Sequence, residues 1–137
     1  MATARGIAAL LALAPLLATA ASPIDGFWMI VKDDKSLDPG SQVEYKLERD
    51  HVSMTTPMGA AYRAKLDGTD APMENDTNTT TVSVKMPARN VLVETAKNNG
   101  KPWLVTTIEF EPGGKVAKVS WKNLKNNQAG GYTLSKQ

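Results

Sequence analysis

Apolar and polar residues alternate along most of this chain, in short runs that are separated by turns. In the run that contains Val43, Tyr45 and Leu47, apolar side chains share one face and polar side chains share the other. The same period of two recurs in residues 52–56, 60–66, 82–86, 103–111, 115–122 and 130–135. No run has the spacing of an amphipathic helix. The pattern therefore predicts an all-β protein.

The turns favour successive hairpins. Asn99-Gly100 suits a two-residue type I′ turn, and Pro57–Gly59 and Pro112–Gly114 separate other runs. Residues 35–40 form a predicted loop, because their Pro-Gly pair stops a strand. Hairpins without a long crossover predict a single antiparallel up-and-down β-barrel of eight or nine short strands. Closure would pair residues 130–135 with an opening strand at 25–32, which removes the exposed sheet edges.

Residues 1–20 have the pattern of a secretory signal peptide. Arg5 precedes an almost wholly apolar run, Ile7–Leu17, and the small residues of Ala18–Ala20 follow. The run is shorter than the roughly 20 residues that span a bilayer, so we expect no membrane span. We therefore expect one barrel domain at residues 21–137, in the periplasm or secreted. The chain has no cysteine, so disulfides play no part.

Net charge gives little reason to expect a nucleic-acid partner. Without Arg5, 15 of the 16 basic side chains remain beside 14 acidic ones. Acidic residues concentrate before residue 80 and basic residues after it. A barrel would then carry a basic outer wall, built from Lys85, Lys97, Lys115, Lys118 and Lys122. That wall either keeps the strands soluble and unpaired or meets an anionic partner.

Gly26-Phe27-Trp28 resembles the glycine-any-tryptophan opening of lipocalin-like (calycin) barrels, whose tryptophan plugs the closed end. More closely, the chain is similar to small secreted bacterial β-barrel proteins of lipocalin-like type. The further residues that carry this resemblance are Lys35-Ser36, Pro39-Gly40, residues 62–72, residues 81–85, Asn99-Gly100-Lys101 and Lys136-Gln137. They span nearly all of residues 21–137. Because they are turn and strand residues, they imply the fold but hardly any chemical activity. Calycins typically set an arginine from a late strand against the tryptophan, and here the last strand offers Lys136.

Metal and cofactor chemistry finds little support in the sequence. His51 is the only histidine and falls in a predicted turn. With no second histidine and no cysteine, a typical zinc site or a Cys-His or Ser-His nucleophilic pair is not easily built. Asp67, Asp70, Glu74 and Asp76 are close in sequence but lack the spacing of a calcium loop. We therefore expect neither a metal nor a cofactor.

The strand assignment places no aspartate or glutamate inside the barrel, which argues against hydrolysis by two carboxylates. We therefore favour a non-catalytic protein. The alternative is an isomerase or lyase that uses Tyr62 or Tyr132 as an acid in a dry cavity.

The residues predicted to face inward combine aromatic rings and hydroxyls with small side chains. Those expected to bind a ligand are Tyr45, Met54, Tyr62, Thr106, Phe110, Trp121 and Tyr132. They either line an apolar pocket or fill the barrel, since about eight strands enclose just enough room for side chains. Two functions follow. The first is a monomer that binds a small, mainly apolar ligand. The second is an envelope module whose basic wall contacts an anionic polymer or a protein.

Overall fold

The computed structural model describes residues 22–32 and 36–137, with side chains described for 22–31 and 42–137. The signal peptide predicted at residues 1–20 lies outside these ranges. The described chain forms ten β-strands and no helix. In chain order they are β1 Gly26–Lys32, β2 Ser36–Leu47, β3 His51–Thr55, β4 Ala61–Lys65, β5 Ala71–Pro72, β6 Thr81–Ala88, β7 Val91–Asn98, β8 Lys101–Phe110, β9 Val116–Asn123 and β10 Ala129–Lys136. The described residues thus contain no helix that is long and apolar enough to cross a bilayer.

The strands form one antiparallel sheet that curls into a nearly closed barrel. Each strand from β1 to β4, and from β5 to β10, is paired with its neighbour in sequence. The first and last strands also pair, with Trp28 opposite Lys136 and Ile30 opposite Leu134. The predicted up-and-down barrel, closed by its two terminal strands, is confirmed.

The ladder of the barrel is incomplete between β4 and β6, where only isolated bridges join the strands. The Ala61 and Glu74 backbones exchange two hydrogen bonds of 3.2 and 2.8 Å beside β4. Further along, the Gly68 N–H donates to the Val84 carbonyl at 2.9 Å. The two-residue β5 extends this seam, and it is the strand that brings the total to ten.

One predicted loop is part of a strand. β2 begins at Ser36, and its residues 36–38 pair with residues 30–32 of β1, so the prediction of a loop over 35–40 is wrong for the described part. Between these pairs and Trp28–Val43, four residues of β2 stand opposite Met29 alone. Pro39 and Gly40 therefore fall in a wide irregularity of the ladder, where proline's missing N–H removes no regular hydrogen bond.

The core of one end of the barrel is organised around Trp28, which is fully buried. Its indole N–H donates to the Ile24 carbonyl at 3.0 Å, so the buried polar atom is satisfied. The Phe110 ring contacts Trp28 edge-on, with centroids 5.2 Å apart, and contacts Tyr45 in the same way at 5.8 Å. Phe110 thus links Trp28 to Tyr45, where the interior opens into a cavity.

Candidate functional site

The barrel interior contains a cavity of about 420 Å³. This volume lies within the range of roughly 300 to 1,000 Å³ that small-molecule sites occupy. Much of its wall is apolar, with contributions from Ile30, Val43, Ala96, Leu104, Ile108 and Leu134. Met58 and Met73 add flexible apolar surface, and Met58 is 87% exposed. The interior is therefore an incompletely filled barrel.

A carboxylate with three tyrosines forms the polar part of the cavity. Both Glu94 oxygens accept hydrogen bonds from the Tyr45 hydroxyl, at 3.2 and 3.3 Å. The Tyr62 hydroxyl donates a further, short hydrogen bond to Oε2 of the same carboxylate. Tyr132 and Thr106 line the cavity beside this group. The chain has three tyrosines in all, and every one lies in this site.

Strand register places Glu94 inside the barrel. Glu94 of β7 stands opposite Val84 of β6 and Thr106 of β8. Val84 is fully buried and Thr106 lines the cavity. Because side chains that are directly opposite in adjacent strands point to the same face, Glu94 must point inward with them.

Burial dominates the electrostatics of this cluster. It raises the pKa of Glu94 above the ordinary value of 4.5, and the hydrogen bonds from Tyr62 and Tyr45 offset part of that rise. Burial, followed by the charge of Glu94, raises the pKa of Tyr45 and Tyr62 well above 10.0. The pKa of Tyr132 is also raised, by the same two causes in the same order.

These shifts bear on what the site can do chemically. A phenol with a raised pKa holds its proton more tightly, so the shift weakens Tyr62 and Tyr132 as acids. Tyr45 and Tyr62 already donate to Glu94, and those protons are committed to the carboxylate. Glu94 itself can accept hydrogen bonds or a proton from a molecule in the cavity, and it can form an ion pair with a cationic group.

Five of the seven residues predicted to bind a ligand surround the cavity: Tyr45, Met54, Tyr62, Thr106 and Tyr132. Phe110 is instead buried in the core beneath Tyr45. Trp121 packs against the backbone of Gly130, where a Cβ would come within 2.7 Å of the indole ring. The ligand-binding role of all seven residues stays a prediction.

The sequence reasoning missed Glu94 and Trp103, which both line the cavity. The expectation that no acidic residue faces inward is wrong at Glu94. Trp103 is the extra residue of a bulge between β7 and β8, so it and Leu104 both reach the cavity although they are consecutive. Its indole N–H donates to the hydroxyl of Thr79 at 3.2 Å, which fixes the ring in the wall.

Three of the four acidic residues in 67–76 have a hydrogen-bond or ionic partner. Asp67 Oδ1 accepts the Thr69 N–H at 2.9 Å, and Asp76 Oδ1 accepts the Asn78 N–H at 2.8 Å, as in Asx turns. Asp70 Oδ1 lies 2.7 Å from Lys97 Nζ. Among the side chains described, those of 22–31 and 42–137, no three histidine, cysteine or acidic groups lie closely enough to hold a metal ion.

His51, the other residue weighed for metal or nucleophile chemistry, lies on the exterior at the start of β3. Its Nδ1 is 2.6 Å from Oδ1 of the adjacent Asp50, which is exposed. This contact holds the pKa of the Asp50 carboxyl below its ordinary value. It is a local surface pair that is separate from the cavity.

The five lysines proposed as a basic wall are divided between two regions. Lys85 and Lys97 lie on β6 and β7, whereas Lys118 and Lys122 lie on β9, with Lys115 in the turn before it. β8 separates the two groups. Lys97 is paired with Asp70, and Lys118 stands opposite Glu109 of β8. The positive charge is therefore partly offset and not continuous.

Together, the closed meander and its internal cavity define an antiparallel β-barrel that is consistent with a calycin-like fold. Comparison with known proteins adds no relative, because no family model, curated protein or solved structure matches this chain.

Proposed function

We propose that this protein binds a small, mainly apolar ligand inside its barrel, without catalysing a reaction. The observation that carries the proposal is the cavity of about 420 Å³, whose wall is largely apolar and whose polar groups converge on Glu94. Apolar walls supply affinity and a few polar groups fix orientation in typical ligand sites. The same interior could have been filled, but small side chains such as Ala96 leave room in it.

Binding is tested with N-phenylnaphthylamine, a neutral dye whose emission rises in apolar surroundings. A neutral probe is chosen because a sulfonated dye would be repelled by Glu94. We expect saturable binding by residues 21–137, accompanied by quenching of Trp103, which lies in the cavity wall. The variant Trp103→Phe should keep the dye signal and lose most of the tryptophan quenching, since Trp28 is buried in the core and Trp121 packs on Gly130.

A cavity-filling variant locates the dye. Ala96→Phe places a ring inside the barrel and should abolish saturable binding. Ala88→Phe makes the same change at an exposed position of β6 and should leave binding intact. Circular dichroism of both variants verifies that the barrel is folded. Unchanged dye affinity in a folded Ala96→Phe, or no saturable signal in the parent protein, would overturn the proposal.

We also propose that the protein works after export, as a monomer in the periplasm or outside the cell. The pattern of residues 1–20 supports export, and the pairing of β1 with β10 leaves no open edge there for another chain. The test is to express residues 1–137 in a bacterial host and to fractionate the cells. We expect a periplasmic product whose mass corresponds to residues 21–137. Light scattering should show that it is a monomer. An uncleaved cytoplasmic product would contradict export.

A further inference from the structure

The charge inside the cavity is of one sign. Among the described side chains that line it, Glu94 and Asp76 are acidic and none is lysine, arginine or histidine. Asp76 belongs to the loop before β6, and its Oδ1 already accepts two backbone N–H groups, from Asn78 and Thr79. Glu94 is held by β7 and faces the interior. A molecule in the cavity therefore meets an anionic group whose only charged neighbour in the described wall is also acidic.

The hydrogen-bond partners of Glu94 are neutral. Tyr45 and Tyr62 donate to it, and no lysine, arginine or histidine nitrogen among the described side chains lies within 4.0 Å. Two phenols do not balance a full negative charge on a partly buried carboxylate. An ionised carboxylate has about four acceptor sites, so two donors leave acceptor capacity for a third group.

Several aromatic residues share the cavity with this carboxylate. Tyr45, Tyr62, Tyr132 and Trp103 all line the same cavity. Ring faces attract cations, with a larger effect where water is excluded. The site thus combines one carboxylate with four aromatic residues in a largely apolar wall. One of these rings already has a cation beside it, since Lys125 Nζ lies 5.5 Å from the Trp103 centroid. An ammonium group has three donors and a positive charge, which match both features.

We infer that the ligand is an amphipathic amine, whose ammonium group pairs with Glu94 while its apolar body lies along the wall formed by residues such as Leu104 and Met73. This inference rests on the proposed function and specifies its ligand class. An alcohol of the same shape can donate a hydrogen bond to Glu94 but brings no charge. A carboxylate of the same shape meets like charge and should bind most weakly.

The experiment uses three probes with one apolar body: octylamine, octanol and octanoate. Each displaces N-phenylnaphthylamine from residues 21–137 at neutral pH. We expect octylamine to bind at least about tenfold more tightly than octanol, because a charge-assisted hydrogen bond is worth more than a neutral one. Octanoate should be weaker than octanol. In Glu94→Gln, which keeps the shape of the side chain, octylamine should fall to the affinity of octanol, within about threefold.

The control is Glu109→Gln, which makes the same change in net charge on the outer face of β8 and should keep the preference for octylamine. Glu94→Gln that still binds octanol as the parent does shows that the barrel is intact. Equal affinity of the parent for octylamine and octanol, or a preference that survives Glu94→Gln, would overturn the inference while leaving the proposed function in place. If neither the dye nor any of the three probes binds, both proposals fall.

Discussion

The Nζ atom of Lys136 lies 5.0 Å from the centroid of the Trp28 ring, at the end of the barrel where the first and last strands pair. The lysine stem reaches this position by crossing Gly26, where a Cβ would come within 2.9 Å of Lys136 Cε. A late-strand cation thus stands against Trp28, where the calycin resemblance implies an arginine. The Phe110 ring contacts the same tryptophan edge-on.

Removing the charge of Lys136 should destabilise the protein modestly. Lys136→Met keeps an unbranched stem over Gly26 and loses the cation–π contact with Trp28. We expect the free energy of unfolding to fall by about 0.5 to 2 kcal/mol, as measured by denaturant unfolding. Lys122→Met, at an exposed position of β9, is the control and should change stability little. Equal losses in the two variants would show that the contact contributes nothing specific.

Adding even a methyl group at Gly26 should lower the stability of the protein. The residue has φ of +141°, a conformation that L residues rarely adopt, and its open face is occupied by the stem of Lys136. Gly26→Ala should lower the free energy of unfolding by about 1 to 3 kcal/mol. The double variant Gly26→Ala/Lys136→Ala removes the lysine stem. It should recover the loss of stability that comes from crowding, but not the loss that comes from the positive φ. Parent-like stability of Gly26→Ala would contradict both causes.

Phe110 should matter for stability through the contacts that it makes with Trp28 and Tyr45. Phe110→Ala removes a ring that is 3% exposed and should destabilise by about 3 to 5 kcal/mol. The chain's only other phenylalanine, Phe27, is 46% exposed and provides the matched control. Phe27→Ala should cost far less in the same denaturant series. Comparable losses would mean that Phe110 is not the link between Trp28 and the cavity that its geometry indicates.

The fold could be predicted because the turn and strand signals of each hairpin come from residues that are close in sequence. Asn99 and Gly100 have φ of 51° and 84°, the positive values that a type I′ turn requires at both positions, as their sequence predicted. The alternation of Val43, Tyr45 and Leu47 likewise predicted which face of β2 is buried. Tyr45 on that face is 5% exposed. Turn chemistry and period-two patterning are properties of neighbouring residues, so one sequence suffices to read them.

The carboxylate of the site could not be predicted in the same way, because its orientation depends on two bulges. One irregularity follows Lys85 in the β6–β7 hairpin, and another lies between Ala96 and Lys97 in the β7–β8 hairpin. Counting back from the Asn99-Gly100 turn without the second bulge would place Val93 opposite Thr106. With it, Glu94 takes that position. A one-residue shift exchanges the two faces of a strand, and nothing in the run Val91–Val93 reveals it, since all three residues are apolar.

The raised pKa of Glu94 predicts that neutralising this side chain has a pH-dependent effect on stability. Burial lifts its folded-state pKa above the value of 4.5 that it has when unfolded. Its contribution to stability is therefore fully present below pH 4.5 and is lost as pH rises through the folded-state pKa. Glu94→Gln does not titrate, so its free energy of unfolding relative to the parent should increase over this window and then level off.

Denaturant unfolding of both proteins between about pH 4 and about pH 8 measures this difference. Glu109→Gln, which removes an exposed carboxylate, should give a much flatter difference over the same series. A constant difference between Glu94→Gln and the parent, or a parent that gains on the variant as pH rises, would show that the hydrogen bonds from Tyr45 and Tyr62 outweigh burial.

The three tyrosines should titrate late, with Tyr132 before the other two, because all of them line the cavity that contains Glu94. Burial and the carboxylate charge raise the pKa of Tyr45 and Tyr62 well above 10.0, and that of Tyr132 is also raised. The folded state keeps these protons when the unfolded chain has lost them. This contribution to stability is therefore present below pH 10.0 and falls as pH rises through the folded-state pKa values.

In the folded protein, phenolate absorbance should therefore appear at higher pH than in urea. The first rise should be lost in Tyr132→Phe. Glu94→Gln removes the second cause and should move the remaining onset to lower pH. A tyrosine that titrates in the folded protein as it does in urea would place its hydroxyl in water, outside the cluster.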